Sequence, residues 1–140
     1  MKAVQLFAGL ICAPLLLNAC AQNGGPGADT APYDGIAEDE RITLLGNEPF
    51  WSIKINGQTA FYSSPQDMAG VEFAVTRFAG NNGLGFSGEL KGQAIQIAVT
   101  PGTCSDGMSD RDFPFSATIT WGDRRLKGCA YTDQQPYAGV

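Results

Sequence analysis

The chain has 140 residues, 44% hydrophobic and 16% charged, with 14 acids against nine bases for a formal charge of −5, four cysteines and no histidine. That length holds one domain rather than two. Without histidine, Ser-His-Asp and Cys-His catalysis, His-ligated zinc or haem and an imidazole proton switch are all excluded, because each needs that ring.

The chain opens as an export signal. Lys2 gives a positive start, Phe7 to Leu17 is apolar apart from Pro14, and Leu17-Asn18-Ala19-Cys20 closes the run with small residues. A run of about 15 apolar residues falls short of the roughly 20 that span a bilayer, so residues 1–19 are expected to be cleaved. The closing tetrad resembles the bacterial lipobox, which implies cleavage before Cys20 and lipidation of its thiol. The alternative is an ordinary secretory signal cut near Ala19 or Ala21. Acyl chains at about 0.8 kcal/mol per buried methylene anchor a protein without spanning the bilayer. The expected location is therefore the bacterial cell envelope, on a membrane, with the domain in the periplasm or at the cell surface.

Cysteine use agrees with export. Cys12 leaves with the signal and Cys20 carries the lipid, so Cys104 and Cys129 remain in a compartment where disulfides persist, and they are expected to pair. A reactive or metal-binding thiol pair is the rival reading, which lacks both CxxC spacing and a histidine.

Residues 20–40 read as a flexible acidic tether of Gly, Pro, Ala and acids, too poor in aliphatic side chains to offset the entropy of ordering. Asp29, Asp34, Glu38, Asp39 and Glu40 lie in it with no base, whereas residues 41–140 hold nine acids and eight bases. The acidity belongs to the tether. With no basic stripe, a nucleic-acid partner is not expected, nor is any cofactor.

From Arg41 on, the period is two. Trp51, Ile53 and Ile55 alternate with Ser52 and Lys54, and Phe115, Ala117, Ile119 and Trp121 with Ser116, Thr118 and Thr120. Turn signals separate the runs: Asn56-Gly57, read as a type I′ hairpin, then Asn81-Asn82-Gly83, Lys91-Gly92 and Gly122-Asp123. About eight strands are predicted, near 42–45, 50–55, 58–62, 71–78, 84–90, 94–100, 114–121 and 125–131. They argue for an all-β domain over 41–140, an antiparallel meander curled into a barrel or sandwich, with Gly85 and Gly88 at bends or bulges.

Three segments depart from plain alternation. In Gly46-Asn47-Glu48-Pro49-Phe50-Trp51, the period puts Trp51 in the core and leaves Phe50 at a rim beside Glu48, unless both aromatics plug the barrel end. In the stretch from Pro101 to Asp112, Asp106, Asp110 and Asp112 crowd one Arg111. The carboxylates, Ser105 and Ser109 offer oxygen to a hard cation, but DxDxDG spacing is absent. The plainer account has Asp106 or Ser105 capping a turn and Arg111 paired with a carboxylate. Around the last strand, Arg124, Arg125 and Lys127 either protect an edge or join Arg111 as an anion-binding patch.

GNEPFW at Gly46 to Trp51, CSDGMSDRDFPF at Cys104 to Phe115 and LKGCA at Leu126 to Ala130 together look like the signature of a family of small bacterial membrane-anchored lipoproteins, META/HslJ-like in style. The resemblance covers the whole exported domain. It implies a disulfide-linked β domain in the envelope and no particular activity. A looser similarity is to the membrane-bound lysozyme inhibitors, also lipid-anchored β-barrels with a disulfide.

The expected function is that of a noncatalytic envelope lipoprotein. It is expected to be monomeric, with a face that binds an envelope protein or a glycan through Glu48, Phe50, Trp51, Asp106, Asp110 and Arg111. The alternatives are a lysozyme-inhibitor-like protein, or a hydrolase using carboxylates or a Ser105 or Ser109 hydroxyl activated by Lys127.

Overall fold

The computed structural model describes residues 31–140. The expected signal peptide, the lipidation site at Cys20 and the first part of the tether lie outside the described residues.

From Ile42 onward the alternating pattern folds as a single antiparallel meander. Its strands are β1 (Ile42–Asn47), β2 (Phe50–Asn56), β3 (Thr59–Ser64), β4 (Asp67–Ala79), β5 (Leu84–Leu90), β6 (Gln93–Ser105), β7 (Asp112–Trp121) and β8 (Arg124–Thr132). Each pairs with the next, and β8 returns to β1 to close an eight-stranded barrel. Closure gives every strand a partner on both sides, although β8 meets β1 only over Cys129–Thr132 and β4 meets β5 only over Val75–Ala79.

Alternate side chains of every strand point inward and fill the interior. Ile53 and Ile55 of β2, Ile95, Ile97 and Val99 of β6, and Phe115, Ala117 and Ile119 of β7 are all buried. At one end Tyr62 meets the edge of Trp121, with ring centroids 5.2 Å apart. The Trp121 indole N–H donates to the Leu90 carbonyl at 3.0 Å, whereas the buried indole N–H of Trp51 has no protein partner. Gly46 and Gly128 flank the Trp51 ring. A Cβ on either would run into it, and one on Gly128 would also strike the Leu45 carbonyl.

Five connections are two-residue turns, as the pairs Asn47↔Phe50, Asn56↔Thr59, Ser64↔Asp67, Leu90↔Gln93 and Trp121↔Arg124 show. Two expectations need correction. Asn56 stays in the β2–β3 ladder, so Gly57-Gln58 make that turn, with positive φ only at Gly57 (58°), the type II′ pattern. Lys91 and Gly92, with φ of 52° and 74°, make the type I′ turn. Gly85 and Gly88 sit in a regular ladder, and Gly88 is needed because the Ala74 carbonyl passes where its Cβ would stand. The register shifts fall instead between Tyr62 and Ser64 and between Pro101 and Cys104.

The expected tether boundary at residue 40 also moves. Residues 31–40 close the barrel end that carries the β2–β3 and β4–β5 turns. Ile36 joins the core at 1% exposure, Arg77 donates to its carbonyl at 2.7 Å, and the Tyr33 N–H bonds the Gly80 carbonyl at 2.6 Å. Glu40 is buried too. It accepts hydrogen bonds from the Thr132 hydroxyl, the Ala37 N–H (2.9 Å) and the Gln135 amide (3.2 Å). Burial is the largest influence on Glu40 and pushes its pKa up. The three hydrogen bonds together outweigh it and bring the carboxyl below its ordinary value. Composition missed this because one aliphatic residue and one satisfied carboxylate suffice to seat a segment whose other residues stay in water.

The chain after β8 returns along the wall. Arg41 pairs with Asp133 at 3.1 Å, Asp112 bridges to Ala138, and Tyr137 packs on Phe113 and Tyr131 with centroid distances of 5.2 and 5.1 Å.

Candidate functional site

Strands separated by a third stand about 10 Å apart, yet the Cα atoms of Cys104 on β6 and Cys129 on β8 are 5.6 Å apart and their sulfurs are bonded. The register shift at Gly102, whose φ is +139°, lets the end of β6 fold across β7 to reach β8. Cys129 faces outward in the β8 alternation but is only 2% exposed, because this folded end covers it. The expected disulfide therefore shapes the outer wall.

Beyond it, the loop 106–111 is built on Asp106. Its Oδ1 accepts the N–H groups of Ser109 (2.8 Å) and Met108 (2.9 Å), and its Oδ2 accepts the Ser109 hydroxyl (2.8 Å). Those bonds, the Ser109 N–H foremost, hold the Asp106 carboxyl below its ordinary pKa. Ser105 caps the same turn by accepting the Gly107 N–H at 3.2 Å. The Asn47 amide, next to Glu48, donates to the Asp106 carbonyl and ties the loop to the β1–β2 turn. Among the described residues no three Asp, Glu or Cys side chains gather into a metal-ligating group.

Between this loop and the barrel wall lies an open groove of about 640 Å³, lined by Asn47, Glu48, Asp106, Met108, Thr118 and Lys127. Glu48 and Asp106, 58 positions apart in the chain, are thus brought to one site. On the other side of the β1–β2 turn a second groove of about 490 Å³ is lined by Leu45, Phe50, Trp51, Pro65 and Met68. Phe50 is 52% exposed and Trp51 only 4%, the division that the period assigns.

Asp110 and Arg111 line neither groove. Arg111 makes no ion pair among the described residues, contrary to expectation. Its guanidinium lies 4.6 Å over the Tyr137 ring, because the returning C-terminal segment supplies an aromatic face there. Arg124 likewise lies over Trp121 at 4.1 Å. The four bases therefore do not form one patch. Arg125 and Lys127 do share the outer face of β8, without ion pairs among the described residues. β8 meets β1 only from Cys129 to Thr132, so the stretch that carries Arg125 and Lys127 pairs with β7 alone, and these two bases flank an open piece of edge, as edge protection requires.

Sequence reading missed two contributors. Asn47 carries no signal of its own, although its neighbours do. Thr118 stands in the outward half of the β7 alternation, which marks it as outward-facing but not as part of a groove. Compared with protein families, curated proteins and solved structures, the chain matches none.

Proposed function

We propose that this protein is a noncatalytic binding module of the bacterial cell envelope, held to a membrane by lipid on Cys20 and meeting its partner at the groove between the 106–111 loop and the β1–β2 turn. One observation carries the reading: the barrel interior is filled with side chains, while a loop fixed by a disulfide and by Asn47 shapes an open groove outside it. A closed, packed barrel offers no chamber for a small molecule, so recognition falls to the surface. The hydrolase alternative draws no support from the serines. The Ser109 hydroxyl donates to Asp106 and accepts the Arg111 N–H at 3.3 Å, while Ser105 bonds Gly107. Both are committed to holding the loop.

A photo-crosslinking residue at Glu48 or Met108 in cells should trap a partner, and one at Glu72 on the far wall should not. Equal trapping at all three positions, or none at Glu48 and Met108, removes the groove reading. Mass spectrometry of the amino terminus tests the anchor, and an unmodified Met1 overturns it. Inhibition of lysozyme by a micromolar excess of the protein would identify the partner as lysozyme, and no effect removes that partner.

A further inference from the structure

The outer wall of β4 to β8 bears two continuous cross-strand rows. One runs from Phe78 through Gly85, Ala98 and Thr118 to Lys127. Its neighbour runs from Thr76 through Ser87, Gln96 and Thr120 to Arg125. Each crosses five strands, about 19 Å at 4.8 Å per strand. Three features set this face apart.

The first is charge. Neither row contains a carboxylate, and the two cations at its β8 margin are in no ion pair among the described residues. The nearest outward acid on these strands is Glu89, one row further toward the β5–β6 turn. The second is chemistry. The middle of the face is short hydroxyls and one amide, groups that both donate and accept hydrogen bonds, on a surface kept flat by Gly85 and Ala98. The third is Phe78. At 69% exposure it leaves a ring open to solvent at the other margin, and a shallow depression of about 460 Å³ runs from it to Arg125.

We infer that this face binds an acidic glycan strand. Sugar hydroxyls meet the Thr, Ser and Gln side chains, a sugar ring lies on Phe78, and carboxylates reach Arg125 and Lys127. A bare polyanion would need more cations than two, and a neutral surface would need none. The inference goes beyond the groove reading and does not depend on it. The two sites adjoin at Thr118 and Lys127, but Phe78 and Arg125 lie outside the groove.

The test uses the full chain purified from cells and titrated with four probes. These are hexagalacturonate, its methyl ester, a polyglutamate of equal charge, and phosphatidylglycerol vesicles. Hexagalacturonate should bind best. R125Q/K127Q should weaken it about tenfold and F78S about threefold, while K54Q/F61S on the opposite wall should leave it unchanged. All these positions are exposed, and unchanged thermal melts will show that the variants fold. Polyglutamate or vesicles binding as tightly as the uronate, variants binding like the parent, or no uronate binding at millimolar concentration would each overturn the inference. Crosslinking at Glu48 and Met108 stands or falls separately.

Discussion

Glu40 offers the sharpest test of how the barrel end is closed. In Glu40→Ala, the fully buried Thr132 hydroxyl loses the carboxylate it donates to, and the Ala37 N–H and Gln135 amide lose their acceptor. A hydrogen bond to a charged group contributes about 1.5–3 kcal/mol. Gln135 is half-buried and can turn to water, and Ala37 is exposed, so most of the loss is the Thr132 bond and the seating of residues 36–40. The expected cost is about 2–4 kcal/mol, a large part of the 5–15 kcal/mol typical of a small domain. Urea denaturation followed by the fluorescence of Trp51 and Trp121 measures it. The same carboxylate predicts a pH dependence. Because its folded pKa is depressed, its contribution is complete above the unfolded value of about 4.3 and is lost as pH falls through the folded pKa. The gap between the parent and Glu40→Ala should therefore be constant near neutrality and narrow in acid below about pH 4. A gap under about 0.5 kcal/mol at neutral pH, or one that widens in acid, would refute the reasoning that residues 31–40 are part of the folded body.

Other outcomes follow from the packing. Replacing Cys104 and Cys129 together by Ala opens a loop of sequence separation 25 and should cost about 3.5 kcal/mol in the chain-entropy account, read by the shift in urea midpoint. It should also abolish crosslinking from Met108, because the folded end of β6 loses its tie to β8. Gly128→Ala drives a methyl into the Leu45 carbonyl and the Trp51 ring, and should cost at least the roughly 1–3 kcal/mol of an overpacked site, seen as a lowered melting temperature. The two tryptophans should differ. Trp121→Phe removes the hydrogen bond to the Leu90 carbonyl, whereas Trp51→Phe removes an N–H that had no protein partner, so the first should be about 1 kcal/mol the more damaging in urea titrations.

Much of the wall was legible because a half-buried strand writes its two faces into alternating residues. Trp51, Ile53 and Ile55 point inward and Phe50 outward, as the pattern requires. The extra length of β4 and β6 was not legible, because Met68, Gly70 and Thr103 interrupt the alternation and pairing there depends on the partner strand. The plug was hidden for a different reason: Glu40 is read as solvated wherever its partners are unknown, and Thr132 lies 92 positions away. At the groove, the motifs around Glu48 and Asp106 were conspicuous, but that they share one site follows from the disulfide and from Asn47, which no local pattern encodes. Arg111 shows the limit most clearly, since its aromatic platform arrives from a tail with no periodicity at all.

An even number of strands in a closed meander brings the beginning and the end of the wall to the same rim. Here they are also laced together: Arg41 and Asp133 bond through main chain and side chain alike, and Gln135 holds the Gly35 carbonyl. The order in which the staves are threaded is thus incidental to the cask. A circular permutant that joins residue 140 to residue 31 by a short glycine linker and opens at Lys91-Gly92 keeps every ladder, and it should give the parent's circular dichroism spectrum.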